Sequence, residues 1–132
     1  MDNKEQWIKW NSIADLANSY YIESIKDDIN GLRIFLVDEK NNKNRLEVIF
    51  ENFEAYRNID ESYRTVLFKD LYKNKNCANW TFFKVENSTY LKWLSMQSDG
   101  WIDYIKRYHY MFVTLDSVLD VVSSHDPKLR FY

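Results

Sequence analysis

Trp80-Thr81-Phe82-Phe83-Lys84-Val85-Glu86-Asn87-Ser88-Thr89-Tyr90-Leu91-Lys92-Trp93-Leu94 changes its rhythm halfway along. Up to Val85 the apolar side chains follow a two-residue rhythm, the period of a strand. From Tyr90 they recur as on one face of a helix. Ser88 stands at the junction, where a hydroxyl can accept the free amide protons of a first helical turn. A strand that feeds a capped helix points to an α+β chain, and the neighbouring segments are read from there.

Downstream, Asp99-Gly100 ends the helix, Tyr108 to Leu115 alternates as a strand, and Asp116-Ser117 turns into a last strand, Val118 to Val122. Pro127, which has no N–H to give a sheet, is expected to stop further pairing. Upstream, Leu32 to Val37 is apolar on both faces apart from Arg33. Arg45 to Glu51 alternates, with Leu46, Val48 and Phe50 inward and Arg45, Glu47 and Glu51 outward. With the polar Lys40 to Asn44 between them, these two runs read as a hairpin. Asn30-Gly31 marks a turn in which glycine takes a positive φ. Phe53 to Asn58 continues the sheet after a bend at Glu51-Asn52, Ser62 to Tyr72 is a short helix or turn, and Lys73 to Asn79 is a polar loop.

At the N-terminus, Trp7, Trp10, Ala14, Ala17 and Tyr21 are spaced by threes and fours. This predicts a helix capped by Asp2 or Asn3, followed by a short strand within Tyr20 to Lys26. Hairpin-length connections outnumber crossover-length ones. The expected fold is therefore α+β, with residues 1–132 as a single domain built on a mostly antiparallel five- or six-stranded sheet and two or three packed helices.

With 132 residues, one core can bury about two-thirds of the unfolded surface. Five Trp, ten Tyr and eight Phe supply that core, and the excess rings are of the kind protein interfaces favour. The formal charge is −2 and no basic run follows a phosphate backbone, so nucleic-acid binding is disfavoured. A lone Cys77 allows no intrachain disulfide, and neither a signal peptide nor a membrane span is evident. The expected setting is the cytoplasm, with no membrane partner. A homodimer is compatible with the aromatic excess.

The chemistry-bearing residues form no catalytic set. A thiolate mechanism needs Cys77 activated by His109 or His125, and a loop cysteine with a hydrogen-bonded sheet histidine is the commoner arrangement. His125, Asp126 and Asp120 lack the short spacing of a metal site, and Asp126 before Pro127 reads as a turn. With only Gly31 and Gly100 there is no phosphate-cradling loop. No cofactor or metal is expected, and the chain does not read as an enzyme. Its densest polar region holds Glu47, Glu51, Glu54, Arg57, Asp60, Glu61 and Arg64. The arginines are expected to pair with Asp60 and Glu61, while Glu47, Glu51, Glu54, Asp60 and Glu61 offer an acidic surface to a basic protein partner.

Four segments, A-Y-R-N-I-D-E-S (Ala55 to Ser62), W-T-F-F-K-V-E-N-S (Trp80 to Ser88), Y-L-K-W-L (Tyr90 to Leu94) and Y-H-Y-M-F-V-T-L-D-S-V-L-D-V-V-S (Tyr108 to Ser123), resemble those of small bacterial immunity proteins. These are the partners of polymorphic or contact-dependent toxins. The resemblance spans roughly the last eighty residues and does not include the Gly-Gly segment of the commonest immunity superfamily. It implies a protein that binds one cognate toxin domain and blocks its active site. The alternative is a ligand-binding or enzymatic domain. Its aromatic pocket would lie where the helix Ser88 to Gln97 crosses the sheet, with Tyr, Trp and His109 holding a planar ligand.

Overall fold

The computed structural model describes residues 4–11, 13–73, 77 and 79–132. Among the described residues, nine strands form two antiparallel sheets. In chain order the elements are β1 (Gln6–Lys9), β2 (Tyr20–Asp28), β3 (Gly31–Asp38), β4 (Arg45–Phe50), β5 (Phe53–Asp60), α1 (Thr65–Lys73), β6 (Phe82–Glu86), α2 (Thr89–Gln97), β7 (Tyr108–Val113), β8 (Ser117–Ser123) and β9 (Lys128–Phe131). Short 3-10 turns occupy Glu61–Tyr63 and Trp101–Tyr104. The five-stranded sheet runs β1-β6-β7-β8-β5 and the four-stranded sheet β2-β3-β4-β9. The α+β class and the five-stranded antiparallel sheet are present as expected, and a second sheet joins them.

The chain changes sheets at the Glu51-Asn52 turn. β4 pairs with β3, whereas β5 pairs with β8 in the other sheet. The inner faces of both sheets meet in one core containing Leu32, Ile34, Leu36, Leu46, Val48 and Phe50 on one side and Phe82, Tyr110, Phe112, Leu119 and Val121 on the other. Its rings meet edge to face. Tyr110 lies 5.3 Å from Phe50 and 5.5 Å from Trp10 between centroids, the geometry aromatic quadrupoles favour. A second core covers the outer face of the five-stranded sheet, where Leu67 and Leu71 of α1 pack on Phe83, Met111 and Val118.

Two readings are corrected. The expected N-terminal helix over Trp7 to Tyr21 is a strand, a loop and the start of β2. β1 pairs along the free edge of β6, with Trp7 opposite Val85, and Asp15 takes a positive φ that a helix cannot contain. Edge pairing thus overrides a suggestive apolar spacing. The proposed caps Asp2 and Asn3 lie outside the described residues, as do residues 74–76 and 78 of the predicted polar loop. Pro127 does not end the sheet, because β9 follows it and pairs with β4. A proline just before an edge strand withholds no ladder hydrogen bond.

Gly31 carries two constraints. Its φ is +99°, and a Cβ there would stand 2.7 Å from the Phe50 carbonyl oxygen, so β3 and β4 approach more closely than any side chain permits.

Candidate functional site

The strand register builds the site. Arg57, Asp120, Met111, Phe83 and Lys9 lie directly opposite one another across β5, β8, β7, β6 and β1. Opposed residues of an antiparallel pair share a face, so Asp120 stands on the outer face, beneath the helices. It is fully buried. One carboxylate oxygen, Oδ2, accepts Arg57 Nε and Arg64 NH1, each at 2.8 Å, and Oδ1 lies 2.6 Å from His109 Nε2. Arg64 arrives from the residue just before α1, and so ties that helix to the sheet.

The chain of contacts continues through His109. Its Nδ1 lies 2.7 Å from Ser88 Oγ, and the same oxygen accepts the Leu91 amide proton at 3.0 Å as the cap of α2. With Nε2–H donated to Asp120, Nδ1 accepts the Ser88 hydroxyl proton, and every polar atom of the trio is satisfied. Burial by itself raises the Asp120 carboxyl. The hydrogen bond from His109 opposes it, joined by the hydrogen bond of Arg57 and the charge of Arg64, and together they hold the group well below the usual carboxylate range.

A serine, a histidine and an aspartate in series are also the parts of a hydrolase triad. Here all three are buried, and the serine oxygen is spent on the helix cap. The Tyr90 ring closes over His109 at 5.7 Å and carries the Arg57 guanidinium 4.2 Å above its face. The arrangement locks both helices onto the sheet. It also fills the place beneath α2 where an aromatic pocket holding His109 was expected.

The opening lies beside that place. A cleft of about 870 Å³ crosses the outer face between β1, α1 and the start of α2, and its lining includes Trp7, Ile8, Arg57, Arg64, Val66 and Leu67. Cys77 also borders it, buried, and burial pushes its thiol up. His109 holds Ser88 and Asp120 with its two ring nitrogens, and His125 Nδ1 lies 2.9 Å from Ser124 Oγ. Neither histidine is bonded to Cys77. Asp126 accepts the Tyr110 hydroxyl and pairs with Lys84 at 3.1 Å. Among the described residues no group of three or more His, Cys, Asp or Glu is placed to hold a metal.

The predicted acidic residues do not gather into one surface. Glu47 is on the outer face of the four-stranded sheet but is only 3% exposed, because Arg130 lies over it with two nitrogens at 2.6 and 3.0 Å. It is not available as the outward contact the strand pattern suggests. Glu51 pairs with Lys128 at 2.7 Å and Glu54 with Arg107 at 3.2 Å. Asp60 accepts the Ser62 amide proton at 2.9 Å, a bond that lowers its carboxyl. Glu61, exposed, begins the neighbouring 3-10 turn. The expected pairing of Arg57 and Arg64 with Asp60 and Glu61 is replaced by their shared bond to Asp120.

What the polar pattern did not indicate is a series of exposed large side chains along α2, in the 3-10 turn after it and at the start of β7. Trp93, Met96, Trp101, Tyr104, Ile105 and Tyr108 are all more than one-third exposed, with Trp101 and Tyr104 at 75% and 79%. The 3-10 turn folds back on α2 through Ile102 N–H to Ser98 Oγ at 3.1 Å and Ser95 Oγ to Asp103. Trp101 and Tyr104 stack at 5.8 Å. The Arg107–Glu54 pair borders this segment, and Arg107 also bonds the Ile105 carbonyl. The clue in the sequence was the run of large rings from Trp93 to Tyr108, too dense for one short helix to bury.

Comparison with protein-family models, with curated proteins and with solved structures finds no match. No helix among the described residues is long and apolar enough to cross a membrane.

Proposed function

We propose that this chain is a cytoplasmic immunity protein, a stoichiometric inhibitor that binds one cognate bacterial toxin domain and covers its active site. The observation that carries this reading is the exposure of Trp93 and Met96 on α2 and of Trp101, Tyr104 and Ile105 in the segment that folds back on its end. Trp and Tyr dominate binding energy at protein interfaces, and exposed apolar side chains at this density are the composition of a docking surface. The acidic surface of the sequence reading contributes only at its border, through Glu54. No bond-making step is assigned to the chain: Ser88, His109 and Asp120 act as a structural lock.

Co-expression with the C-terminal toxin domain encoded immediately upstream, followed by co-purification and a survival assay, tests the reading. The expected result is a tight complex and rescued growth with the wild type. Both are lost in Trp101→Ala/Tyr104→Ala, whose folding is unchanged because the rings it removes are exposed. The proposal fails if no complex forms and growth is not rescued. The surface assignment fails if the double variant protects as well as the wild type.

A further inference from the structure

We propose that residues 88–107, α2 with the 3-10 turn that follows it, form a strap that opens and closes on the five-stranded sheet as one unit while both cores stay folded, held shut by the bond of Ser88 to His109. The burial pattern comes first. Of these residues only Ser88 and Tyr90 are buried, and none of them belongs to the inter-sheet core or to the core beneath α1. The two helices are equally long, at nine residues each. α1 sinks Leu67 and Leu71 into the second core, whereas α2 buries Tyr90 alone. An isolated helix shorter than about 12–15 residues is marginal in water, and tertiary packing of an apolar face supplies most helical stability in proteins. With so little of that packing, α2 depends on its attachments.

Those attachments are mostly polar and sit at the two ends of the segment. At the first end Ser88 is bonded to His109 Nδ1, and Tyr90 packs on the His109 ring and carries the Arg57 guanidinium. Glu5, just before β1, accepts the Thr89 amide and hydroxyl protons at 2.9 and 3.1 Å. At the other end Arg107 pairs with Glu54 of β5 at 3.2 Å. Between the ends the segment is bonded to itself. Gly100 N–H donates to the Ser95 carbonyl at 2.7 Å, Ile102 N–H to Ser98 Oγ at 3.1 Å, and Ser95 Oγ to Asp103. A segment knit internally, with few buried apolar contacts to its surroundings, is a cooperative unit that opens at a lower free energy than the whole molecule. Opening lifts Tyr90 from His109 and gives that ring, 2% exposed in the closed form, to solvent. The inference concerns the chain alone and does not rest on the proposed function.

Hydrogen exchange of the full chain, followed residue by residue by NMR at urea concentrations well below the unfolding midpoint, tests the proposal. Corrected for their intrinsic rates, the amides of residues 92–100 are expected to exchange about 100-fold or more faster than those of Ile34, Met111 and Leu119. Their rates should depend little on urea, because the opening exposes little of the surface that global unfolding exposes. Ile34→Val, which trims the inter-sheet core, should speed exchange at Met111 and Leu119 about three- to tenfold and leave residues 92–100 unchanged. Ser88→Ala should speed residues 92–100 about tenfold or more. Exchange of residues 92–100 at the core rate and with the core's urea dependence would overturn the proposal. Equal acceleration of both sets by Ile34→Val would overturn it too, since the segment would then open only with the cores. Unchanged rates at residues 92–100 in Ser88→Ala would refute the part given to the Ser88–His109 bond.

Discussion

Replacing Asp120 with asparagine changes one oxygen to an NH2 group and removes one buried charge. If the amide oxygen keeps the two arginines, the new N–H group faces His109 Nε2, which must then give up its proton to Nδ1. That proton points at Ser88 Oγ, and the Ser88 hydroxyl is left to find another acceptor inside a closed site. If the amide is reversed, its NH2 meets two guanidiniums, which is worse. Arg57 is one-third exposed at its side chain, so its share is discounted to the surface range of at most about 1 kcal/mol. Arg64 and His109 are well buried, and charge-assisted bonds there are each worth about 1.5–3 kcal/mol, part of which a neutral amide retains. The expected loss is about 3–4 kcal/mol, within the range for a broken buried ion pair. With a urea slope of about 1.5–2 kcal/mol/M, the unfolding midpoint followed by tryptophan fluorescence drops by about 2 M. A drop below about 0.5 M would refute the role given to Asp120.

The same variant carries a pH signature. The folded Asp120 carboxyl is depressed, so its stabilisation is complete above the unfolded value near about pH 4 and drains away as the pH falls toward the folded one. The gap between wild type and Asp120→Asn should therefore narrow below about pH 4. A gap that is unchanged at pH 2.5 contradicts the depressed carboxyl.

Three further outcomes follow from the structure. Gly31→Ala should cost at least about 2 kcal/mol, from the positive φ and the clash with the Phe50 carbonyl. Gly100→Ala, with a φ of +79° but nothing within 4 Å, should lose only about 1 kcal/mol, and equal losses at the two sites would dismiss the clash. Ser88→Ala should lose about 2–3 kcal/mol in urea unfolding, from the missing cap and the orphaned His109 Nδ1, and should speed hydrogen exchange at Leu91. Unchanged protection there would refute the cap. The Cys77 thiol, raised by burial, should react with a disulfide reagent at pH 7.5 only as fast as the chain opens, and labelling that is immediate in the native protein would contradict its burial.

Where local chemistry is self-contained, the sequence was legible. Ser88 accepts an amide proton because any hydroxyl at a strand-to-helix junction meets the same orphan donors. Gly31 marks its turn because no other residue tolerates that φ. The β3–β4 and β7–β8 hairpins read correctly because alternation and short polar loops are local signals. Trp7 to Tyr21 misled because threes and fours of apolar residues also arise when a strand sends Trp7 to the outer face and Trp10 into the inter-sheet core. Glu47 misled because alternation shows which face a side chain takes, not what lies over that face.

Composition and period alone thus determined the α+β class, the principal hairpins and the capped second helix. Only the tertiary structure decided that β5 leaves β4 to pair with β8, and that β9 pairs with β4. It alone brought Arg57, Arg64 and His109, from three separate segments, onto Asp120, and Ser88 onto the other ring nitrogen of His109. The physical reason is range. Periodicity and capping act over a few residues, whereas a buried carboxylate recruits its partners across the whole chain, after the sheets have set the register that brings them within 3 Å.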